Sequence, residues 1–244
     1  MKAMIFAAGL GTRLRPLTDN LPKALVEVNG KPLLLHTLNT LRSSGFDDFV
    51  INTHHFAQKI EDYLLENGNF GLKIALSKEA DELLGTGGGI RFARPLLEGS
   101  GHFFIHNVDI FSNLDIPQMC AGCPSDALSN LLVSERKTTR YFLFDDDGLL
   151  RGWTNLATGE VKSPFGKINP DKYNRLAFAG VHYVSDRIFP LMEKWPAVFS
   201  IVDFYLWAAK ENPIYAYVQT GLELIDVGKV ETLELAADFL RRRR

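Results

Sequence analysis

The N-terminal stretch constrains the fold of this chain more than any other part of its sequence. An apolar run at residues 3–8 lacks the alternation of a half-exposed strand and ends directly at Gly9. Such a run is typical of a strand that is buried on both faces of a parallel sheet. Gly9 and Gly11 carry no Cβ atom, so the following loop can turn successive backbone N–H groups toward a bound anion. The sequence therefore predicts an α/β protein with an anion-binding loop after its first strand.

The charges of this loop favour a phosphate ligand. Arg13 and Lys23 are cations of the kind that a polyphosphate needs, and two prolines stiffen the loop between them. Leu14 occupies the position of the third glycine in a dinucleotide-binding fingerprint, and the sequence contains no P-loop string. A plain strand-to-helix turn with solvated cations is the alternative. We interpret residues 9–23 as a nucleotide-phosphate loop of another kind.

Composition excludes several classes of protein. The chain has 244 residues, of which 46% are hydrophobic, so it can bury one large core. Its net charge of −2 gives no electrostatic footprint for nucleic acid or an anionic membrane. No apolar stretch approaches the roughly 18 residues that would span a bilayer, and the N-terminus predicts a strand instead of a signal peptide. We therefore expect a cytoplasmic protein with neither a nucleic-acid nor a membrane partner.

Two features that often mark metal sites have plainer interpretations here. Cys120 and Cys123 form a C-x-x-C pair, but zinc would need two more ligands at a sensible spacing. We expect two free thiols near a helix end. His54 and His55 are adjacent, and adjacent side chains of a strand point to opposite faces, so a structural role at a loop end is favoured.

Strand and helix signals alternate through the first half of the chain and become less regular in the second. The spacing of apolar residues predicts helices at residues 32–41, at 60–64, from 85 to about 97, at 201–210 and at 229–240. Strands are predicted at residues 49–51, 72–76, 103–105, 128–133, 141–144, 149–153, 176–184, 214–219 and 222–227. Repeated β-α-β units imply a mainly parallel sheet with helices on both faces. The polar residues 154–174 contain two glycines and two prolines, so we expect an exposed loop there.

Three separated segments are expected to meet beyond the carboxyl ends of the strands, where open α/β sheets bind ligands. They are the loop 9–23, residues 85–89 and residues 107–109. Asp109 directly follows an apolar strand, where a lone carboxylate is costly unless it is paired or bound to a metal, and Asp226 has a similar position. Two such carboxylates suit Mg²⁺ together with phosphate oxygens, and a role as helix caps or turn residues is the alternative.

The triple glycine at residues 87–89 needs its own explanation. Glycine costs roughly 1 kcal/mol against alanine within a helix. This cost is easiest to explain where a base or a ribose lies against the main chain. A flexible turn is the alternative.

The string from Gly9 to Lys23, GLGTRLRPLTDNLPK, resembles the signature of the sugar-1-phosphate nucleotidyltransferases, also called nucleotide-sugar pyrophosphorylases. The likeness continues at residues 85–89, 107–109, 178–180 and 226–228, so it covers nearly the whole chain. Among family members, the chain looks most like short bacterial forms, such as N-acetylmuramate-1-phosphate uridylyltransferases and mannose-1-phosphate guanylyltransferase-like proteins. We therefore expect no C-terminal β-helix domain.

The resemblance implies a fold and a reaction. The fold would be a Rossmann-like three-layer α/β nucleotidyltransferase fold with a mainly parallel mixed sheet. One domain over residues 1–244 would divide into a nucleotide-binding half (1–115) and a sugar-binding and closing half (116–244). A phosphate oxygen of a sugar 1-phosphate would attack the α-phosphorus of a nucleoside triphosphate in line, and pyrophosphate would leave. Because the nucleophile is already an anion, catalysis needs positioning and charge neutralisation more than a strong base.

The resemblance also assigns roles to individual residues. Lys23 would bridge the two substrates' phosphates, Arg13 would hold the triphosphate, and both would be catalytic. Asp109 and Asp226 would hold the Mg²⁺ cofactor. The nucleotide-binding residues would be Ala8, Gly9, Gly11, Thr12, Arg13, Glu79, Gly88 and Asn107, and the sugar-binding residues would be Asn107 and Gly180.

Departures from the family pattern leave the acceptor open. Arg140 stands where relatives often have a glycine beside the sugar, and residues 160–164 replace a glutamate-lysine-proline string. UTP with N-acetylmuramate 1-phosphate is the favoured pair, and guanylyl transfer to mannose 1-phosphate or a related sugar is an alternative. Residues 154–174 are expected to be either an idle surface loop or a flap over the acceptor, with Lys162 or Lys167 available to its charged groups.

Two further alternatives involve other substrates or no reaction. Cytidylyl transfer to phosphocholine would need an aromatic cage. Its possible members are Trp153, Tyr173, Tyr183 and Trp207. A non-catalytic nucleotide-sugar sensor would be expected to lose the lysine or a metal-binding aspartate, all of which are present. The sequence leaves the oligomeric state open.

Overall fold

The computed structural model describes residues 1–79 and 82–243 and orders most of their strands into one ten-stranded mixed sheet. The strands are Lys2–Phe6 (β1), Glu27–Val28 (β2), Lys31–Pro32 (β3), Asp48–Thr53 (β4), Lys73–Lys78 (β5), His102–Asn107 (β6), Ile110–Ser112 (β7), Ser129–Ser134 (β8), Arg140–Phe144 (β9), Leu150–Asn155 (β10), Glu160–Lys162 (β11), Asn174–Ser185 (β12), Ile214–Val218 (β13) and Leu224–Asp226 (β14). The helices are Leu33–Ser43 (α1), Ala57–Glu66 (α2), Gly85–Phe92 (α3), Arg94–Leu97 (α4), Ile116–Ala121 (α5), Ile188–Met192 (α6), Ile201–Ala208 (α7) and Val230–Arg242 (α8).

The sheet is parallel in its first half and mixed in its second. Strands β6, β1, β4 and β5 lie side by side in that order and run parallel, as the repeated β-α-β units predict. The long strand β12 runs antiparallel to β6 and β8 and pairs at its beginning with β9. Strands β9, β10 and β11 extend the sheet as antiparallel neighbours, and β13 pairs parallel with β8.

The sheet has a hydrophobic core on each face, which explains why apolar residues follow one another in β1 without alternation. Ala3 and Ile5 pack into a core with residues of α1, α2, α5 and α8, whereas Met4 packs into a core with residues of α3, α4, α6 and α7. Both faces of the strand are therefore buried, as expected for a central parallel strand. The result is the predicted three-layer α/β fold. No helix among the described residues is long and apolar enough to cross a membrane.

The structure corrects two predictions about local structure. The helix that was expected from residue 85 to about 97 is divided at Ala93, because Pro95 lies at the start of α4 and cannot continue a regular helix. Residues 154–174 are more ordered than a loop. Residues 160–162 form β11 and pair with β10, and a short 3-10 turn follows at Pro170–Lys172.

Candidate active site

A cleft of about 430 Å³ opens at the carboxyl ends of β1, β4 and β6. The predicted site residues that line it are Ala8, Gly9, Gly11, Thr12, Arg13, Lys23, Glu79, Asn107 and Asp109. Gly88, Gly180 and Asp226 are not among the lining residues. The topology explains the convergence, since parallel neighbours end at the same edge of the sheet and their following loops must meet there.

Gly11 gives the loop after β1 its shape. Its φ angle of 65° lies in the left-handed region, and the Thr18 hydroxyl donates a 2.8 Å hydrogen bond to its carbonyl oxygen. A Cβ atom at this position would lie 3.1 Å from the Cβ of Lys23. Glycine therefore lets the two ends of the signature string pack against each other and brings Lys23 to the cleft.

Lys23 forms an ion pair with Asp109 in a nearly buried setting. The exposed fractions of the two side chains are 11% and 19%, and the Lys23 ammonium donates to Oδ2 of Asp109. The backbone of Asp109 is held as well, because its carbonyl oxygen accepts a 2.8 Å hydrogen bond from the Val227 N–H. This bond and the pairing of β14 with β7 bring Asp226 beside Asp109. The predicted meeting of these carboxylates from separate strands is therefore present.

The surroundings of Asp226 fit a bound cation. Its Oδ1 atom is buried and has no hydrogen-bond partner among the described residues. Burial raises the pKa of Asp226, the charge of Asp109 raises it further, and the charges of Lys23, Arg136 and Arg13 lower it. An unpartnered buried carboxylate oxygen beside a second carboxylate is the donor chemistry that Mg²⁺ accepts when phosphate oxygens and waters complete its shell. Within the described residues, no group of three or more histidine, cysteine, aspartate and glutamate side chains could hold a metal ion, so these two carboxylates would need those additional ligands.

Gly228 brings Arg13 to the same place. A Cβ atom at Gly228 would lie 2.8 Å from Nη2 of Arg13 and 3.0 Å from Oδ1 of Asp226. Because glycine has no side chain, the guanidinium of Arg13 can approach Asp226 at the end of β14. Gly228 was part of the sequence resemblance, and this close approach gives its physical reason.

Glu79 holds the opposite wall of the cleft in place. Its side chain is buried, Oε1 accepts a 2.8 Å hydrogen bond from Nδ2 of Asn52, and Oε2 accepts a 2.8 Å hydrogen bond from the Leu84 N–H. Asn52 is fully buried, and within residues 1–79 and 82–243 its Oδ1 has no hydrogen-bond partner. Asn52 was not predicted as a site residue, although a polar side chain at the end of an apolar run such as residues 49–51 is the signal that could have identified it.

The packing of the triple glycine differs from the predicted contact with a base or a ribose. A Cβ atom at Gly87 would run into the ring of Phe199, one at Gly88 would run into the Ala197 carbonyl oxygen, and one at Gly89 would lie 2.8 Å from Oε1 of Glu79. The three glycines therefore let α3 pack closely against other parts of the protein. Gly85 and Thr86, at the beginning of the helix, line the cleft instead of Gly88.

Gly180 packs against the side chain of Asn107. It has a φ angle of 71° and lies in an irregular stretch of β12 between Phe178 and His182. A Cβ atom here would run into the side-chain amide of Asn107, which lines the cleft. The structure brings these two predicted sugar-binding residues together, with only Asn107 at the cleft surface.

Several features that the sequence singled out lie outside the cleft lining. Lys162 donates a 3.2 Å hydrogen bond to Asp203 in α7 and lies 5.3 Å from the centre of the Trp153 ring, so it is engaged with the protein itself. Cys120 and Cys123 are free thiols, and burial raises the pKa of Cys120 to about 12.

The residues considered for a choline cage have separate partners. Trp207 packs on Trp195, and Tyr183 stacks on His102. Trp153 instead contacts Lys162. Among the described residues, no ring contact joins Trp153, Tyr173, Tyr183 and Trp207, so the structure gives the phosphocholine alternative no support.

Comparison with known proteins identifies the family. Residues 2–141 match the model of the nucleotidyl transferase family. The chain is 34% identical over 239 residues to the N-acetylmuramate α-1-phosphate uridylyltransferase of Neisseria meningitidis, covering 97% of this chain and 96% of the relative. It is also 39% identical over 261 residues to probable mannose-1-phosphate guanylyltransferase 2 of Arabidopsis thaliana, covering 100% of this chain and 67% of the relative.

Solved structures agree with the family in fold. HddC from Yersinia pseudotuberculosis, in a complex with GMP-PN, superimposes with a TM-score of 0.76 at 22% identity, covering 98% of this chain and 99% of that one. The inositol-1-phosphate CTP transferase from T. maritima superimposes with a TM-score of 0.79 at 17% identity, covering 99% of this chain and 95% of that one. The chain therefore belongs to the nucleotidyl transferase family, and it is a sugar-1-phosphate nucleotidyltransferase.

Proposed function

We propose that the protein transfers the uridylyl group of UTP to N-acetylmuramate 1-phosphate and releases pyrophosphate. The observation that carries this choice is the match to the Neisseria uridylyltransferase, which extends over 97% of this chain and 96% of the relative. A second N-acetylmuramate α-1-phosphate uridylyltransferase, from Caulobacter vibrioides, is 48% identical over 109 residues. Guanylyl transfer to mannose 1-phosphate is the second candidate, because the Arabidopsis guanylyltransferase matches the whole of this chain.

The nucleotide would lie along the cleft, with its phosphates toward the loop after β1. The backbone N–H groups of Gly11 and Thr12 and the guanidinium of Arg13 would hold the triphosphate. The cleft extends from these residues to Glu79 and Thr86, so the base would lie toward α3. This orientation follows from charge, since the cations Arg13 and Lys23 lie at one end of the cleft, beside the aspartates that would hold Mg²⁺.

Lys23 would act by exchanging its partner. In the structure its ammonium neutralises Asp109. When both substrates bind, it would turn to the phosphate oxygens, and its charge would offset repulsion between the attacking phosphate and the α-phosphate. Asp109 and Asp226 would hold Mg²⁺, whose charge would further neutralise the phosphates. The reaction needs no general base, because the attacking oxygen is already anionic.

A substrate matrix tests this proposal. Each of UTP, GTP, CTP and dTTP is paired with N-acetylmuramate 1-phosphate, mannose 1-phosphate, glucose 1-phosphate and phosphocholine. Pyrophosphate release is measured, and the product is identified by mass spectrometry. We expect the highest kcat/KM for UTP with N-acetylmuramate 1-phosphate. A higher value for GTP with mannose 1-phosphate would overturn the choice of substrates and leave the reaction class intact.

A further inference from the structure

The second half of the chain places one cation on the acceptor side of the site. Arg136 lies in the exposed loop between β8 and β9, and its Nη2 donates a 3.0 Å hydrogen bond to the carbonyl oxygen of Phe178. Phe178 begins the irregular stretch of β12 that contains Gly180, and Gly180 packs against Asn107. The guanidinium therefore lies beside the segment that supports the cleft residue assigned to the sugar.

The charge of Arg136 also acts on one of the two carboxylates, Asp226. Within residues 1–79 and 82–243, the cations whose charge lowers the pKa of Asp226 are Lys23, Arg13 and Arg136. Lys23 and Arg13 belong to the loop after β1, which has the triphosphate to hold. Arg136 is the member of this set that comes from the second half.

Most N–H donors of the Arg136 guanidinium are not used by the described residues. Arginine carries five N–H donors in a planar fork, and this geometry suits carboxylate and phosphate oxygens. In the described part of the chain, the Arg136 side chain donates a hydrogen bond to the Phe178 carbonyl oxygen and to no other acceptor. The loop that carries it is braced by Tyr141, whose hydroxyl accepts a 2.9 Å hydrogen bond from the Thr138 N–H and lies 3.4 Å from the Arg136 carbonyl oxygen.

The charges of the site show why a further cation is needed. Lys23 and Arg13 offset Asp109 and Asp226, so these four side chains carry no net charge before the substrates bind. A phosphate monoester carries a charge of about −1.5 to −2 at pH 7. Even with the charge that Mg²⁺ would add, a phosphate monoester beside a triphosphate leaves an excess of negative charge, which a cation on the side of the acceptor would offset.

We propose that Arg136 is an acceptor-binding residue whose guanidinium binds an oxyanion of the sugar 1-phosphate, while the first half of the chain holds the nucleotide. This assignment rests on the proposed function for the identity of the acceptor. On N-acetylmuramate 1-phosphate the oxyanion is either the 1-phosphate or the lactyl carboxylate of the sugar. Both are oxyanions that a guanidinium binds through two parallel hydrogen bonds.

The test compares Arg136→Met and Arg136→Lys with the matched control Lys137→Met, which removes the neighbouring exposed cation of the same loop. Steady-state kinetics are measured with the nucleotide and acceptor varied separately. For Arg136→Met we expect the acceptor KM to rise about 10- to 100-fold, as for one lost hydrogen bond between charged groups. The nucleotide KM and kcat should stay within about threefold, Arg136→Lys should recover part of the loss, and Lys137→Met should behave as wild type.

A merely structural role would give a different pattern. If Arg136 only held β12 through Phe178, its loss would displace Gly180 and Asn107, and the nucleotide KM, acceptor KM and kcat would change together. Higher ionic strength should raise the acceptor KM of the wild type more than that of Arg136→Met. An unchanged acceptor KM in a folded Arg136→Met variant, or an equal change in both KM values, would overturn the proposal.

A second acceptor shows whether Arg136 binds the 1-phosphate or the lactyl carboxylate. N-acetylglucosamine 1-phosphate has the phosphate but lacks the lactyl carboxylate, and it is used as a substrate or as a competitive inhibitor. If Arg136→Met loses affinity for both compounds, Arg136 binds the phosphate. If it loses affinity for N-acetylmuramate 1-phosphate alone, Arg136 binds the carboxylate. If the wild type uses GTP with mannose 1-phosphate, the choice of substrates fails, and the Arg136 comparison is made with that acceptor.

Discussion

Replacing Lys23 with methionine should impair both the stability and the activity of the protein. Methionine has a similar length but no charge, so the variant leaves the Asp109 carboxylate nearly buried, unpaired and close to Asp226. Removing one partner of a buried ion pair typically costs about 3–5 kcal/mol. Asp109 is 19% exposed and retains some solvation, so we expect about 3 kcal/mol. For a chain of this size, each kcal/mol lowers the Tm by about 2–4 °C.

A double-mutant cycle separates the ion pair from other effects of the substitution. Lys23→Met with Asp109→Asn removes both charges, so the double variant should recover at least half of the stability that Lys23→Met loses. Urea unfolding followed by circular dichroism measures all four proteins. Because Asp109 is released from its partner, Mg²⁺ should stabilise Lys23→Met more than the wild type in the absence of nucleotide. Turnover should fall at least about a hundredfold, the scale seen when one preorganised charge-stabilising contact is lost.

Two results would refute this reasoning. A loss of less than about 1 kcal/mol in Lys23→Met is the size of an exposed salt bridge, and it would show that solvent screens the pair. Near-normal turnover in the folded variant would show that the ammonium does not face the reacting phosphates. The cycle keeps these outcomes distinct, since stability is measured without substrates.

Three other substitutions test further parts of the structure. Burial raises the pKa of Asp226, so its ionised form opposes folding at pH 7. This cost is lost as the pH falls through the pKa that Asp226 has in the folded state. Asp226→Asn should therefore raise the free energy of unfolding at pH 7 but not at pH 3. Equal effects in urea at both pH values would contradict this. Gly180→Ala should lose more than about 1 kcal/mol and most of its activity, because a Cβ at a φ of 71° would also run into Asn107; wild-type kinetics would exclude that contact. Tyr205→Phe should cost about 1–3 kcal/mol, because the buried Tyr205 hydroxyl lies 2.5 Å from Nδ1 of His182; an unchanged urea midpoint would show that water replaces it.

The sequence predicted most of the residues that meet at the cleft, because the signals for their positions are local. Gly9 and Gly11 follow a buried strand, and Asp109 follows another, so the rule for the carboxyl ends of parallel strands brings them together. Asp226 could be placed for the same reason, although its approach to Asp109 depends on the pairing of β14 with β7. The roles of these residues stay predictions until they are tested.

Features that depend on distant contacts were beyond sequence reasoning. Gly87 packs against Phe199 and Gly88 against Ala197, both more than a hundred positions later, and no local pattern indicates these partners. Strand β11 has three exposed residues at the edge of the sheet, so it lacks the apolar alternation that identifies a strand. The hydrogen bond from Arg136 to Phe178 also has no local signal, because it forms only when β8 pairs with β12.

The hydrogen bond from Val227 to Asp109 has a consequence for biosynthesis. It joins the segment after β6 to the residue after β14, which the ribosome makes more than a hundred residues later. At about 5–20 residues per second, Asp226 follows Asp109 by roughly 5–25 seconds. A nascent chain can therefore form the parallel strands and the glycine loop before it has both carboxylates. Until β14 arrives, Lys23 is available to neutralise Asp109, so the growing chain need not carry an unpaired buried charge.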